Sequence, residues 1–571
     1  MIDISLLRVE DEIKSALKQL EAQSVLQRIW EHDHTVWAPD PNEIANRLGW
    51  LDTPILMAQS LEKLLALRDS LKEEGIQKIV LLGMGGSSLA PDVFRRTFGS
   101  ADDYPELEVL DSTHPDTVQK LSESLNWQET VFLVATKSGT TVETLSMFRH
   151  FYNWVLHAVG EETAGDHFIA ITDPESPLVG VAKQYSFREV FLNDPNIGGR
   201  YSVLSYFGLV PAALIGIDVK GLLDHAVSMR DAALPEVDLN DNESVVLGTI
   251  LGTLANLGRD KLTLVSTDAI EPLGDWVEQL IAESTGKEGK GILPVVGEPL
   301  GEIKAYGPDR VFIHMRYGDD NTYTIEMQAL ANAGHPVVTI DVKDMIAFGG
   351  LFFLWEMATA IAGYWLGINP FDQPNVESAK ARAKEMVNTY QEQGELPAEN
   401  PVFENESAAL FLGAPEGESS KEIDVGESIE ASLQSFLRMG EDGAYVTIQA
   451  YLDPSEKLTE VLRAFQSSMR DATGFATTLG YGPRYLHSTG QLHKGDAGEG
   501  LFIQLTDEKE AFVDIPEKAG SNDSAISFNT LIDAQALGDR QALADAGRSV
   551  VRIHHKDDPL DALNALSRAI L

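Results

Sequence analysis

The chain has 571 residues and no cysteine, which excludes disulfides, thiolate metal sites and a cysteine nucleophile. Its 43% hydrophobic and 23% charged residues are typical of a soluble globular protein, and its length predicts about three or four structural units. The formal charge of −44 disfavours binding to nucleic acid and to anionic lipid. The same charge repels phosphorylated ligands, so any phosphate site must use local backbone N–H groups and a few cations.

Residues 1–50 are predicted to form an N-terminal helical packing segment, because apolar residues recur at roughly helical spacing. These are Leu6, Leu7, Ile13, Leu17, Leu20, Val25 and Ile29. The segment soon runs through three acidic residues at 10–12 and lacks the basic start and apolar run of a signal peptide. Together with the missing cysteines, this predicts a cytoplasmic protein.

Residues 51–235 are predicted as a first α/β domain, because apolar strands alternate with helical stretches, which is typical of a parallel, doubly wound sheet. The predicted strands are Ile76–Leu82, Leu107–Leu110, Val131–Ala135, Phe168–Thr172 and Glu189–Leu192. After a break near Pro235–Asn242, residues 236–395 repeat the pattern as a second α/β domain. Its predicted strands are Leu262–Ser266, Ile292–Val296, Arg310–His314 and Val337–Asp341.

The stretch Met345–Ile368 is apolar and long enough to span a bilayer of about 30 Å. Its one charge, Glu356, would lie near the bilayer centre, and no basic flank marks a cytoplasmic side. The pattern therefore favours a buried core helix, and we expect no membrane association.

Residues 396–430 are predicted as a linker, because they are rich in Glu, Gly, Pro and Ser. Residues 431–571 are predicted as a third, C-terminal α/β domain. Its predicted strands are Ala444–Tyr451, Gly500–Leu505 and Ser549–Ile553.

Two turns between strand and helix are candidate anion cradles. Leu82-Gly-Met-Gly-Gly-Ser-Ser-Leu89 lacks the third glycine of a dinucleotide fingerprint and is equally compatible with close packing. Val134-Ala-Thr-Lys-Ser-Gly-Thr-Thr-Val-Glu-Thr144 crowds several hydroxyls at a helix start, where one residue would suffice for ordinary N-capping. The second turn therefore favours phosphate binding.

Three further segments contain candidate catalytic side chains. Asn196-Ile-Gly-Gly-Arg-Tyr-Ser202 presents Arg200, which could otherwise form a surface ion pair. Gln279-Leu-Ile-Ala-Glu-Ser-Thr-Gly-Lys287 presents Glu283, a candidate base that in isolation would be a solvated helix residue. Asn369-Pro-Phe-Asp-Gln-Pro-Asn-Val-Glu-Ser-Ala-Lys380 combines a capped turn with Lys380, a possible surface charge.

Together these segments closely resemble the glucose-6-phosphate isomerase family, whose members pair sugar-isomerase (SIS) α/β domains. The resemblance implies an aldose–ketose isomerase of phosphorylated sugars that needs no cofactor and no metal. It implies that Glu283 is the base, that Arg200 stabilises an enediolate and that Lys380 helps ring opening. The substrate-binding residues that it implies are Gly86, Ser87, Thr136, Lys137, Ser138, Thr141 and Gln373.

The family's ring-opening histidine is not at its usual place in the chain, where only His314 and His335 occur, neither in the right motif. A similar motif appears in the C-terminal region as Arg484-Tyr-Leu-His-Ser-Thr-Gly-Gln-Leu-His-Lys-Gly495. We therefore predict that the third domain supplies the histidine, with His487 preferred to His493. The arrangement resembles the isomerase half of transaldolase–isomerase fusions, without a transaldolase portion.

The function that the resemblance implies is interconversion of glucose 6-phosphate and fructose 6-phosphate through a cis-enediolate. One alternative is a bifunctional isomerase that also accepts mannose 6-phosphate. The other is a regulator that binds sugar phosphates without turnover. The expected partner is a small sugar phosphate, and the sequence leaves open a homodimer or a monomer.

Overall fold

The computed structural model describes residues 2–5, 10–397, 399–413 and 425–570. The N-terminal part contains one strand, β1 (Ile2–Ser5), and the helices α1 (Glu10–Ala22), α2 (Val25–Trp30), α3 (Thr53–Ala58) and α4 (Leu61–Glu73). The prediction of a helical segment over residues 1–50 is wrong for Ile2–Ser5, which pairs antiparallel with Val337–Val342. Helical spacing cannot reveal an edge strand whose partner is distant in the chain. Leu6 and Leu7 lie outside the described residues.

The first sheet is parallel throughout and has the order β3-β2-β4-β5-β6. Its strands are β2 (Lys78–Gly83), β3 (Glu106–Leu110), β4 (Thr130–Ala135), β5 (Phe168–Thr172) and β6 (Glu189–Leu192). The accompanying helices are α5 (Leu89–Phe98), α6 (Pro115–Ser124), α7 (Val142–Val159), α8 (Glu161–Ala164), α9 (Pro177–Gln184) and α10 (Tyr206–Leu214). Because β2 and β4 are parallel neighbours, the two candidate cradles lie side by side at the carboxyl ends of these strands.

The second sheet has the order β1-β10-β9-β7-β8, in which β1 alone is antiparallel to its neighbour. Its other strands are β7 (Lys261–Ser266), β8 (Leu293–Val295), β9 (Arg310–Tyr317) and β10 (Val337–Val342). The helices are α11 (Val219–Ala232), α12 (Glu243–Asn256), α13 (Leu273–Thr285), α14 (Thr324–Ala333), α15 (Phe348–Leu366) and α16 (Val376–Gln393).

Helix α15 is the apolar stretch that the sequence predicted as a core helix, and its burial confirms that prediction. Within the described residues, Met345–Leu366 is the one helix long and apolar enough to cross a membrane, and 83% of its most apolar stretch is buried inside the protein. Phe352 of α15 contacts both Phe94 of α5 and Trp276 of α13, with ring centroids 5.5 and 4.9 Å apart. The first two sheets therefore share one core around this helix.

The third sheet has the order β11-β12-β18-β15-β13-β14, with β13, β14, β15 and β18 parallel. Its strands are β11 (Phe403–Glu404), β12 (Ala408–Gly413), β13 (Tyr445–Tyr451), β14 (Ala476–Tyr481), β15 (Gly500–Asp507) and β18 (Ser549–His555). A separate hairpin contains β16 (Asp514–Pro516) and β17 (Ser524–Ser527). The helices are α17 (Ile429–Leu437), α18 (Glu456–Thr473), α19 (Gly490–Gly495), α20 (Phe528–Asp545) and α21 (Pro559–Ile570).

Part of the predicted linker, residues 396–430, belongs to this third sheet. Strand β12 pairs antiparallel with β18, and its first four residues, Ala408–Phe411, are buried. The prediction of a linker missed this short apolar run because the residues around it are mostly polar. Residue 398 and residues 414–424 of the predicted linker lie outside the described residues.

The third unit packs directly on the second through α16 and α20. Gly538 of α20 lies against Ala383 of α16 so closely that a Cβ on the glycine would stand 2.5 Å from the Ala383 nitrogen. This close approach requires glycine at that position. The fold is thus α/β, with two doubly wound sheets and a third α/β unit packed on them.

Candidate active site

The turn after β2 brings the first candidate cradle against two other site segments. A Cβ on Gly86 would stand 2.2 Å from the carbonyl oxygen of Gly199, next to Arg200. Gly85 has φ +54°, and a Cβ there would stand 2.7 Å from the carbonyl oxygen of His487. Glycine is needed at both positions, because the backbones of three segments meet here. Ser87 follows and is buried.

The second candidate cradle lies between β4 and the N-terminus of α7, and it gathers four hydroxyls. Thr136 Oγ1 lies 2.8 Å from Thr141 Oγ1, and Ser138 Oγ lies 2.9 Å from Thr140 Oγ1. Thr141 is the N-cap residue of α7, yet its side chain makes no capping hydrogen bond. The N-terminus of an 18-residue helix and these hydroxyls together suit an anion.

Lys137 belongs to the same turn but has its own partners. Its ammonium pairs with the carboxylate of Asp173 at the end of β5 and lies 3.4 Å from the Pro195 carbonyl oxygen. Burial raises the pKa of Asp173, although the hydrogen bond and charge of Lys137 act in the opposite direction. In this structure Lys137 is therefore neutralised by a carboxylate rather than bonded to the hydroxyls.

Glu283 lies near the end of α13, and each of its carboxylate oxygens has a different partner. Gln279, one turn earlier, donates from Nε2 to Oε2 at 3.0 Å. An Arg200 guanidinium nitrogen lies 3.3 Å from Oε1. The Glu283 side chain is 14% exposed, so the carboxylate is held in place yet not fully buried.

Arg200 connects α13 with the Asn369–Gln373 segment. It donates from Nε to Ser284 Oγ at 2.7 Å and from a terminal nitrogen to Gln373 Oε1 at 2.9 Å. The other terminal nitrogen donates to the carbonyl oxygens of Pro370 and Asp372 at 2.7 and 3.0 Å. Because the guanidinium is buried and held at every nitrogen, its charge is fixed in place.

Lys287 also binds the Asn369–Gln373 segment. Its ammonium donates to Asp372 Oδ1 and to the Asn369 carbonyl oxygen, both at 2.8 Å. Burial lowers the pKa of Lys287 to about 8, and the charge of Arg200 acts in the same direction. Lys287 therefore anchors the loop that positions Gln373.

His487 comes from the third unit and lies beside the catalytic candidates of the first two. Its Nε2 lies 3.0 Å from Glu143 Oε1, and its carbonyl oxygen accepts from Gln279 Nε2 at 2.8 Å. Gln279 thus bonds to both His487 and Glu283, which places the two candidates within two hydrogen bonds of each other.

Glu143 is fully buried in the first turn of α7 and is the acidic partner of His487. Burial acts to raise the pKa of Glu143, but the charge and hydrogen bond of His487 outweigh it, and the pKa lies below its ordinary value. The charge of Lys380 contributes in the same direction. Glu143 can therefore hold the His487 ring in one orientation.

Lys380 is not in direct contact with the other candidates. Its side chain is 54% exposed and pairs with Glu377 Oε1 at 2.9 Å on the same helix, α16. This is the surface helix pair that the sequence allowed as an alternative. Its charge is the smallest of the named contributions that lower the pKa of Glu143.

The other histidines lie elsewhere. The His493 ring is buried between Tyr485 and Phe502, with centroids 5.9 and 5.1 Å away, and burial lowers its pKa well below the ordinary value. His314 is buried in β9, and His335 packs on Phe312. None of these three rings shares a contact with Glu283 or Arg200 among those described for the structure.

Three residues of this arrangement received no role from the sequence: Gln279, Lys287 and Glu143. Gln279 lies four positions before Glu283, so the i,i+4 spacing on a helix could have found it. Glu143 reads as an ordinary acidic residue in the first turn of a helix. Nothing local distinguishes it, because its partner His487 is 344 positions away. Within the described residues, no three His, Asp or Glu side chains are grouped so that they could hold a metal ion.

Comparison with known proteins shows which family this chain belongs to. The family model described as phosphoglucose isomerase matches residues 69–303. A solved structure of a glucose-6-phosphate isomerase from Chlamydia trachomatis, 18% identical, superposes with a TM-score of 0.59 over 68% of this chain and 89% of that one. A hypothetical protein from Thermus thermophilus, 23% identical, superposes with a TM-score of 0.56 over 67% and 99% of the two chains. At these identities, the superpositions show a shared fold.

Curated relatives give the stronger evidence. The glucose-6-phosphate isomerase of Parabacteroides distasonis is 26% identical over 411 residues, which are 64% of this chain and 89% of the relative. That of Staphylococcus saprophyticus is 30% identical over 381 residues, which are 58% of this chain and 85% of the relative. The chain belongs to the phosphoglucose isomerase family.

Proposed function

We propose that the chain interconverts glucose 6-phosphate and fructose 6-phosphate through a cis-enediolate, without a metal or cofactor. The observation that carries this proposal is that Gln279 bonds both to Glu283, a candidate base, and to the backbone of His487, a candidate ring-opening acid and base. A binding protein would need neither group. The names of the curated relatives agree with this activity.

Substrate binding would begin at the phosphate. Thr136, Ser138 and Thr141 would bind it with the backbone N–H groups of the α7 N-terminus. The Lys137 ammonium would leave its ion pair with Asp173 and bind the phosphate instead. Gly86 and Ser87 would lie along the sugar, and Gln373 would bind its hydroxyls.

Ring opening would use His487. The histidine takes the proton of the anomeric hydroxyl O1 and gives one to the ring oxygen O5, while the C1–O5 bond breaks and the C1=O1 carbonyl forms. Because Nε2 is held by Glu143, Nδ1 is the nitrogen that would face the sugar. The Lys380 charge would assist from nearby.

Proton transfer would use Glu283. The carboxylate removes the proton from C2, and the negative charge that develops on O1 of the enediolate lies near the fixed Arg200 guanidinium. Glu283 then returns its proton to C1, while the O2 proton moves to O1 and the C2=O2 carbonyl forms. All atoms are conserved, so no redox partner is required.

A coupled assay for glucose 6-phosphate formed from fructose 6-phosphate tests the proposal. We expect turnover by the purified full chain that persists in excess chelator. Mannose 6-phosphate tested in the same way would reveal a bifunctional isomerase. Binding of sugar phosphates without any turnover would instead identify a regulator and overturn the proposal.

We further propose that residues 51–235, 236–395 and 431–571 act as three units around one site in a single chain. Such a site does not require a second subunit, so activity would be retained by a monomer as well as a homodimer. As a soluble enzyme of phosphorylated sugars, the protein would act in the cytoplasm.

A further inference from the structure

We propose that Gln535 and Thr113 are positioning residues for ring opening, because they complete a buried chain of hydrogen bonds that fixes the orientation of His487. The inference rests on the proposed function, in which His487 opens the sugar ring. It adds two residues that touch neither the substrate nor Glu283 but act through Glu143.

The chain of bonds is short and buried. Glu143 Oε1 accepts from His487 Nε2 at 3.0 Å and from Gln535 Nε2 at 2.7 Å. Thr113 Oγ1 donates to Gln535 Oε1 at 2.7 Å. Thr113, Gln535 and Glu143 are 0%, 3% and 4% exposed, so water does not compete for these bonds.

The chemistry of the groups fixes the direction of each bond. An ionised carboxylate only accepts, so the Gln535 amide must present its NH₂ group to Glu143. Its oxygen is then left to accept from Thr113, which provides a hydroxyl proton. Both hydrogen bonds of the Gln535 amide therefore require the same orientation of that amide. The Glu143 carboxylate is in turn held where it accepts the hydrogen bond from the His487 N–H.

The bonds also join two units of the molecule. Thr113 and Glu143 belong to the first unit, whereas Gln535 and His487 belong to the third. Gln535 lies on α20, and Asp539 lies one turn later on the same helix. Asp539 accepts a hydrogen bond at 2.6 Å from the hydroxyl of Tyr485, which is two residues before His487. Helix α20 thus holds both the loop that bears His487 and the carboxylate that orients its ring.

Exchange between the α and β anomers of glucose 6-phosphate measures this role directly. Anomer exchange needs ring opening and closure but no proton transfer at C2. It can be followed by exchange NMR in the full chain carrying Glu283→Gln, in which we expect isomerisation to be slowed by about 10² to 10⁴. In that background, we expect Gln535→Met and Thr113→Val each to slow anomer exchange about 10-fold or more, because a small displacement of a catalytic group has effects of this order. His487→Ala gives the rate without the histidine.

Two controls separate positioning from general damage. Gln449→Met replaces another glutamine of the third unit, fully buried and without a hydrogen-bond partner for its side chain, and should not slow exchange. Thr113→Ser keeps the hydroxyl and should restore most of the rate lost in Thr113→Val. Binding of a hexitol 6-phosphate, which has no ring to open, should keep its Kd in the Gln535 and Thr113 variants.

Two outcomes would overturn the inference while leaving the proposed function intact. One is wild-type anomer exchange in both Gln535→Met and Thr113→Val when His487→Ala abolishes it. The other is a loss of hexitol phosphate binding as large as the loss of exchange, which would indicate a purely structural role. Absence of isomerase activity in the wild-type chain would instead overturn the proposed function, and this inference with it.

Discussion

At the scale of single residues, the Glu283 carboxylate has a neighbouring side chain at each of its two oxygens. Gln279 bonds to one oxygen and Arg200 lies beside the other. A base held in this way stays oriented, and the cation lies where an enediolate would develop charge. The assignment of Glu283 as the base remains a prediction that a conservative substitution can test.

Glu283→Gln should lower kcat by about 10² to 10⁴, because it removes the base while preserving size and the hydrogen-bonding oxygen. The Kd of a hexitol 6-phosphate should change little, since the phosphate cradle is untouched. Glu278→Gln, on the same helix, is the matched control: burial raises the pKa of Glu278 to about 8, so its protonated side chain resembles glutamine near neutral pH. Turnover near the wild-type rate in a folded Glu283→Gln variant would exclude Glu283 as the base.

Lys287 predicts a pH dependence of stability. Folding lowers its pKa from 10.5 to about 8, so between these values the unfolded chain binds more protons than the folded chain. The contribution of Lys287 to the free energy of unfolding therefore rises with pH across that window. Lys287→Met removes this contribution.

The thermal unfolding midpoint of the wild type minus that of Lys287→Met should therefore increase between about pH 7.5 and about pH 9.5. The control is Lys220→Met, an exposed lysine of α11 that pairs with Asp224. A difference between wild type and Lys287→Met that stays constant with pH would show that folding does not lower this pKa.

At the scale of elements, the N-terminus of α7 serves both ends of the proposed substrate. Its preceding turn carries the hydroxyls of the candidate phosphate cradle, and its first turn carries Glu143, which bonds to His487. In the proposed mechanism, one strand-to-helix connection would therefore join phosphate binding to ring opening.

Ser138→Ala combined with Thr141→Ala should weaken binding of a hexitol 6-phosphate by about 1–3 kcal/mol, as expected for lost charge-assisted hydrogen bonds. The Kd from calorimetry measures the effect. Thr163→Ala, on the exposed surface of α8, should leave the Kd unchanged. An unchanged Kd in the double variant would place the phosphate elsewhere.

Regular alternation made most strands predictable. The strands Phe168–Thr172 and Glu189–Leu192 have the predicted bounds, and the others differ at their ends by one to three residues. The short strands β11, β16 and β17 were also not predicted, and three further misses have identifiable physical causes. Strand β1 depends on a partner distant in the chain, β12 is a short apolar run within a polar stretch, and β14 (Ala476–Tyr481) lies between a long helix and the histidine segment.

Local motifs predicted Glu283, Arg200 and Gln373 as candidates, and the structure brings these three side chains together, while their roles stay predictions. The site was not predictable where function depends on contacts across units. Glu143 and Gln535 acquire their significance only when the third unit packs on the first. The surface pairing of Lys380 with Glu377 is likewise a matter of side-chain conformation that no sequence pattern specifies.

At the scale of the whole molecule, the three units are joined by buried charge as well as by apolar packing. Arg484, three residues before His487, donates to Asp92 Oδ2 at 3.0 Å and lies 3.3 Å from Asp111 Oδ2. Ser88 of the first cradle also donates to Asp111, at 3.0 Å. This cluster fixes the histidine segment of the third unit on the glycine-rich turn of the first.

The shifts in the pKa values of Asp111 and Asp92 indicate why this cluster needs Arg484. Burial raises the pKa of Asp111 even with Arg484 beside it. For Asp92, burial acts in the same direction but is outweighed by arginine charges, of which Arg484 is the largest, so its pKa is lowered. Without Arg484, two buried carboxylates would face each other with less compensation.

Arg484→Met should therefore reduce stability by about 3–5 kcal/mol at this boundary, the usual cost of leaving a buried charge unpaired. We also expect slower anomer exchange, because the backbone of His487 would no longer be held against Gly85. Arg484→Lys should recover part of both losses, since it keeps the charge. Arg552→Met is the matched control: it removes an arginine that pairs with Glu399 at 2.8 Å, away from the site. Limited proteolysis and anomer exchange NMR measure the two effects, and loss of stability without slower exchange would show that Arg484 holds the units together without positioning the histidine.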